Sequence, residues 1–138
     1  MNMRRSTLSI LGAILLCFAA HGASAQAKRI ELPQLEAMFA QMRAKAPWNV
    51  DGPLLWGYFF LDADPDKLKR VATELVNSGY RVVGISEISG RRMSRLHVEK
   101  VEVHSPQTLH ERNSQLYALA TKYEVASYDG MDVGPAPR

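Results

Sequence analysis

The chain has 138 residues, of which 46% are hydrophobic, with a formal net charge of +3 and one cysteine. This length suits a single domain with a modest core of its own. A single cysteine excludes an intrachain disulfide and a cysteine-rich metal site.

The N-terminal residues have the layout of a secretory signal peptide. A basic pair at residues 4–5 precedes an apolar run at 8–20, and residues 23–25 place small side chains where signal peptidase cuts. The run is shorter than the ~20 apolar residues that span a bilayer, so no membrane anchor is expected after cleavage. We therefore predict a signal peptide over residues 1–25, cleaved after Ala25, and a periplasmic or secreted mature protein.

Cleavage of the signal peptide would change the composition and charge of the mature protein, and these properties bear on its function. Cys17 leaves with the signal, so the mature protein has no thiolate nucleophile and no cysteine metal ligand. Loss of Arg4 and Arg5, with no acidic residue, lowers the formal charge from +3 to +1. A nearly neutral exported domain is not expected to bind nucleic acid.

Residues 26–53 precede the main predicted domain. Apolar residues at helical spacing predict an amphipathic helix from Leu32 to about Lys45. Residues 46–53 contain two prolines and a glycine, which indicates a linker without regular structure.

From residue 54 the pattern alternates strands and helices. The first strand is almost wholly apolar, which is typical of a central strand buried on both faces. The alternation of the third strand slips, which predicts a bulge near residues 99–100. The predicted elements are a strand at 54–61, a helix from Asp64 and Pro65 to Gly79, strands at 80–88 and 95–104, a helix from Ser105 and Pro106, and a short strand at 125–128.

This β-α-β-β-α-β order predicts an α+β domain of the ferredoxin-like type over residues 54–135. Its four-stranded antiparallel sheet carries two helices on one face. Because the first strand is apolar on both sides, the other face needs a cover. We expect the N-terminal helix to provide it, and a homodimer through this open face or a partner protein is the alternative.

A row of aspartates resembles the start of a calcium loop. Asp62, Asp64 and Asp66 have the required spacing, but Lys67 stands where glycine is expected and Thr73 where glutamate is expected. Helix capping explains the second and third aspartates. We therefore predict no metal site here and no cofactor.

Four titratable residues cluster on the third predicted strand. Side chains two residues apart share a face, so His97 with Glu99, or Glu102 with His104, would make an acid–base pair. A small acid–base or metal-dependent enzyme is therefore the alternative hypothesis. Charged pairs on a solvated sheet face are the favoured interpretation.

Three arginines crowd the predicted hairpin between the second and third strands. Arg91, Arg92 and Arg95 suit an acidic protein surface, and a solvated turn is the simpler interpretation. The chain has no phosphate loop, zinc-helix motif or dinucleotide fingerprint, so we do not predict an enzyme.

Five segments carry a family pattern: residues 56–60, 79–80, 96–98, 104–106 with Leu109 and Asn113, and 127–135. Together they resemble the regulator of ribonuclease activity B family, the ribonuclease E inhibitor domain. The resemblance covers about residues 54–135. It implies a small ferredoxin-like domain and a non-catalytic protein that binds another protein, which is ribonuclease E for the best-known member.

Two departures from the family bear on the target. The family's cytoplasmic inhibitor is strongly acidic, whereas the mature domain predicted here is nearly neutral and exported. We therefore expect the fold and the binding class to carry over and the target to be a different protein. A cytoplasmic ribonuclease regulator is the alternative if the signal is not processed.

The most specific part of the resemblance lies at the C-terminal end. Residues 129–134 are predicted to form a turn that is more polar than a turn requires. We predict that Tyr128, Asp129 and Asp132 contribute to a partner-binding surface together with the three hairpin arginines. A simple Asp-Gly turn is the alternative.

Overall fold

The computed structural model describes residues 28–138, so the predicted signal peptide and its cleavage site at Ala25 lie outside the described residues. None of the described helices is long and apolar enough to cross a membrane. The elements are α1 Leu32–Lys45, β1 Leu54–Asp62, α2 Pro65–Asn77, β2 Arg81–Glu87, β3 Ser94–Glu102, α3 Pro106–Lys122 and β4 Ser127–Pro135.

The four strands form one antiparallel sheet in the order β2-β3-β1-β4. β1 lies between β3 and β4, as its apolar composition predicted, and β2 and β4 are the edges. The element order and the strand order together confirm the predicted ferredoxin-like α+β fold.

The crossover helices begin at the predicted cap residues. The side chain of Asp64 accepts a hydrogen bond from the backbone N–H of Asp66 at 2.9 Å, and that of Ser105 accepts one from Thr108 at 3.2 Å. Gly79 follows α2 with a φ of 91°, the left-handed conformation that favours glycine after a helix. These local signals therefore position α2 and α3 above the sheet.

The N-terminal helix α1 packs on the same face of the sheet as α2 and α3. Phe39 is fully buried, and its ring stacks on that of Trp56 with a centroid separation of 6.0 Å. Leu35 is buried in the same core. The prediction that α1 covers the opposite face is therefore wrong, because its apolar stripe extends the existing core instead.

The two sides of β1 differ in burial. Trp56, Tyr58 and Phe60 are fully buried beneath the helices, whereas Leu55 and Phe59, on the other side, are half-buried. The expectation of equal burial on both faces is therefore wrong. The face away from the helices, which we call the open face, keeps part of its apolar surface exposed.

The third strand contains no bulge where one was predicted. β3 pairs with β1 in unbroken register along its whole length, so the predicted bulge near residues 99–100 is wrong. The apolar residues of the predicted strand change from even to odd positions because Val101 and Val103 lie outside the core, where they are 48% and 59% exposed. A break in register occurs instead in β2, between Val82 and Gly84.

The last strand is longer than predicted. Ser127–Pro135 pairs with β1, so the prediction of a turn over residues 129–134 is wrong. Gly130 has a φ of 96° and lies next to a shift in the β1–β4 register. The Asp-Gly pair therefore marks a bulge within a strand, where the chain continues in the same direction.

Asp62 ties together three elements at one end of β1. It is buried, and its two carboxylate oxygens accept hydrogen bonds from the backbone N–H groups of Asp64 at 2.7 Å and Ala126 at 2.8 Å. These bonds join the start of α2 and the entry to β4. They explain the aspartate spacing by backbone capping alone.

We expect Asp62→Ala to lower the free energy of unfolding by about 2 kcal/mol, because two backbone donors lose a charged acceptor. Urea denaturation measures this. Asp66→Ala removes an exposed carboxylate in the first turn of α2 and is the matched control, with an expected loss of at most about 1 kcal/mol. Equal losses in the two variants would contradict the role assigned to Asp62.

Candidate functional site

The open face is built from cross-strand rows of residues in the order β2, β3, β1 and β4. Residues directly opposite one another in a sheet share a face, so the register of the strands defines each row. The rows are Arg81–Glu99–Gly57–Asp132, Gly84–His97–Phe59–Gly130 and Ser86–Arg95–Leu61–Ser127, followed by the three-residue row Val101–Leu55–Gly134.

An aromatic stack occupies the centre of the open face. The rings of Phe59 and His97 stack with a centroid separation of 4.5 Å and an interplanar angle of 21°. The guanidinium carbon of Arg95 lies 5.4 Å from the centroid of the Phe59 ring. A cation over an exposed ring contributes about 0.5–1 kcal/mol, so these contacts hold three planar groups in one arrangement.

Gly57 allows two polar side chains to approach the backbone of β1 beside the aromatic stack. A Cβ atom at this position would lie 2.9 Å from Nε2 of His97 and would overlap Oδ1 of Asp132. These two side chains come from β3 and β4, on opposite sides of β1, and converge over its backbone. Only glycine leaves room for these two side chains to lie over the strand, where a carboxylate oxygen and a ring nitrogen come close together.

Charge is segregated across the open face. Arg81 at the β2 edge forms an ion pair with Glu99, and the Arg81 side chain is 71% exposed while that of Glu99 is 12% exposed. Arg95 on β3 is exposed. At the opposite edge, Asp129 and Asp132 of β4 are exposed. The face is therefore basic towards β2 and acidic towards β4.

The four titratable residues of the predicted third strand do not form one site. His97 and Glu99 lie on the open face, opposite Phe59 and Gly57. Glu102 and His104 lie beneath the helices, with side chains only 10% and 5% exposed. The sheet separates the two pairs, so the four residues do not form one cluster, but the predicted pairing of Glu102 with His104 is present.

The buried pair belongs to an interior hydrogen-bond network. Oε2 of Glu102 lies 2.7 Å from Nε2 of His104 and accepts a hydrogen bond from Nη2 of Arg112 at 3.0 Å. Burial opposes ionisation of this carboxyl, but the hydrogen bonds and charges of His104 and Arg112 outweigh it and lower the pKa of Glu102. Thr108 Oγ1 lies 3.0 Å from Nδ1 of His104, and the Tyr58 hydroxyl lies 3.4 Å from its Nε2.

The predicted partner-binding residues occupy different places. Arg95 and Asp132 lie on the open face. Arg91 and Arg92 are exposed in the hairpin between β2 and β3, where they line a shallow depression. Asp129 is exposed at the bulge of β4.

Tyr128 is not part of any surface. It is 3% exposed, and its hydroxyl donates a hydrogen bond to Oδ1 of Asn113 at 2.6 Å. The prediction that Tyr128 contributes to partner binding is therefore wrong. Burial raises the pKa of Tyr128, as expected for a phenol held in the core.

Sequence reasoning missed two central residues of the open face. Phe59 was assigned to a fully buried strand, and Gly57 received no role. A glycine inside an otherwise apolar strand is a known signal of close approach by a neighbouring group. That signal indicates the close approach, but only the register identifies His97 and Asp132 as the groups that approach.

The chain also matches a known family. Residues 33–133 match the model of the regulator of ribonuclease activity B family. The chain belongs to this family. Among curated protein sequences none matches it. The family is regulatory, and its members bind a protein partner, ribonuclease E.

The match to this family begins inside α1 and ends within β4. It therefore takes in the N-terminal helix as well as the ferredoxin-like unit. Between residues 28 and 138, no three histidine, aspartate or glutamate side chains are grouped in a way that could hold a metal ion.

Proposed function

We propose that this member of the regulator of ribonuclease activity B family is an exported, non-catalytic module that binds another protein through its open face. The observation that carries this proposal is the half-exposed aromatic stack of Phe59 and His97, beside which the Asp132 carboxylate lies over Gly57. Family membership supports a protein as the partner.

The composition of the open face suits a protein partner. Its centre combines an aromatic ring and an arginine, which are residue types enriched in interface cores, with half-buried aliphatic side chains. Charged residues at the β2 and β4 edges supply a polar rim. The face follows the surface of a sheet, and such a shape favours another macromolecule over an enclosed small ligand.

The export half of the proposal is supported by the basic, apolar and small-residue pattern of residues 1–25. An exported module would not meet a cytoplasmic ribonuclease, so its target would be a protein outside the cytoplasm. Fusion of residues 1–30 to a reporter that is active only outside the cytoplasm tests this. Export of the reporter is the expected result, and retention inside the cell would favour a cytoplasmic ribonuclease regulator.

Capture of the target tests the binding surface. The tagged protein is used to capture partners from a periplasmic extract, and two variants change the centre of the face. Gly57→Ala displaces the Asp132 and His97 side chains that lie over the strand, and His97→Ala removes half of the stack. We expect each variant to weaken capture by about tenfold or more, in line with the loss of one central interface contact.

The matched control is His110→Ala, which removes a histidine from α3, away from the open face. We expect it to capture the same partner as the unmodified protein. Gly57→Ala should fold normally, because the atoms that its Cβ would meet are the ends of side chains. Equal capture by all three variants would refute binding through the open face.

A further inference from the structure

We propose that a second copy of this chain occupies the open face when no target is bound, in a dimer whose two-fold axis runs parallel to the strands. The proposal deepens the proposed function, since it uses the same face and makes release of the second copy a condition for target binding. The order of charges and apolar groups along the rows supports this dimer.

The charge order selects this axis. A two-fold axis parallel to the strands reverses the strand order across the interface, so that β4 of one copy lies over β2 of the other. Asp132 of each copy then faces Arg81 of the second copy, whose guanidinium is shared between this carboxylate and its own Glu99, and the contact occurs twice. A two-fold axis perpendicular to the strands would instead place β4 on β4 and bring their exposed aspartates together, which is repulsive.

The apolar groups match under the same operation. Phe59 of one copy lies over His97 of the other, so the two stacks combine into a four-ring cluster at the centre. Leu55 lies over Val101 of the second copy, and this contact also occurs twice. Val101 is 48% exposed in the single chain, so the dimer covers apolar surface that is otherwise in contact with water.

The edges allow the two sheets to approach. The row through the aromatic stack ends in Gly84 on one side and Gly130 on the other, and the reversed order places one glycine over the other. Aligned sheets pack about 10 Å apart with an offset of about 30°, which keeps these rows opposed within side-chain reach.

The size of the face sets the expected strength. Four strands spaced about 4.8 Å apart, with about seven residues each, present roughly 20 Å by 25 Å, or on the order of 1,000 Å² over both copies. This is at the low end of specific interfaces, so we expect a dimer with a dissociation constant in the micromolar range. Such a dimer dissociates readily when a target competes for the face.

Sedimentation velocity over a range of protein concentrations tests the dimer. We expect the unmodified protein to change from monomer to dimer with rising concentration. Asp132→Arg places like charges opposite each other and should raise the dissociation constant at least tenfold, while circular dichroism remains unchanged. Asp66→Arg, which adds the same charge at the exposed start of α2, is the control and should leave dimerisation intact.

Disulfide trapping tests the orientation. Leu55→Cys and Val101→Cys chains, each in a Cys17→Ser background, are mixed and oxidised. The mixture should form more cross-linked dimer than either chain alone, because the axis places these two positions opposite each other. A mixture of Leu55→Cys with Val76→Cys, whose valine is exposed on α2, is the control and should not form this excess.

The outcomes separate this proposal from the proposed function. A protein that remains monomeric at millimolar concentration, or a mixture that shows no excess cross-linking, would overturn the dimer. Capture of a target that depends on Gly57 and His97 would still support the binding module in that case. Conversely, if the protein dimerises but captures no target, the result would support self-association and refute the proposed function.

Discussion

Glu102→Ala is expected to lower the free energy of unfolding by about 3–5 kcal/mol, as found when one partner of a buried ion pair is removed. The change leaves the partly buried guanidinium of Arg112 without its carboxylate and leaves Nε2 of His104 without its 2.7 Å contact. Chemical denaturation measures the loss. Glu36→Ala removes an exposed glutamate from α1, and we expect it to change stability by no more than about 0.5 kcal/mol.

The same carboxyl makes stability depend on pH. The pKa of Glu102 is lower in the folded protein than its ordinary value, although burial alone would raise it. Between the folded and unfolded pKa values the unfolded chain binds more protons, so stability falls as the pH falls. This contribution is fully present above about pH 5 and is lost on further acidification through the folded pKa.

Glu102→Gln keeps the shape of the side chain and removes the titrating group. We expect the free energy of unfolding of this variant to fall less steeply below about pH 5 than that of the unmodified protein. Glu36→Gln should keep the original slope. Parallel curves for Glu102→Gln and the unmodified protein would show that the network does not depend on ionised Glu102.

Local sequence signals predicted most of the elements because capping is a local interaction. Asp64 and Ser105 accept hydrogen bonds from residues two or three positions away, and their position is visible in the sequence. The length of β4 was not predictable in this way. Asp129 and Gly130 favour a turn, but pairing with β1 outweighs that preference and converts the glycine into a bulge.

Local sequence patterns also could not predict the face of the sheet on which α1 packs. Its apolar stripe shows that one side of the helix is buried, but two faces of the sheet were available to bury it. The choice depends on shape, since Phe39 finds a stacking partner in Trp56 on the helix side. A sequence pattern gives no measure of that fit.

The open face was predictable only in part. The two-residue period correctly places His97 and Glu99 on one face of β3. The alternation of side chains does not show which face of the strand is buried. It therefore did not indicate that Glu102 lies under the helices. The approach of His97 to Asp132 requires the register of two strand pairs, β1 with β3 and β1 with β4, which no local pattern contains.

Phe39→Ala is expected to destabilise the protein by about 3–5 kcal/mol, the cost of removing a fully buried aromatic side chain from a packed core. Phe39 is 0% exposed, and its loss leaves a cavity against Trp56. Since small domains are stable by only about 5–15 kcal/mol, the variant should show a clearly lower denaturation midpoint. Gln41→Ala changes an exposed residue of the same helix and should have little effect.

Deletion of the chain up to residue 53 extends this prediction. If α1 were only an appendage of the sheet, the remaining ferredoxin-like unit would unfold at the same denaturant concentration as the unmodified protein. We expect it to unfold at a much lower concentration, or not to fold, because Trp56 loses the ring that stacks on it and the shared core loses Leu35 and Phe39. An unchanged midpoint would show that the core ends at β1 and that Phe39 adds no stability to it.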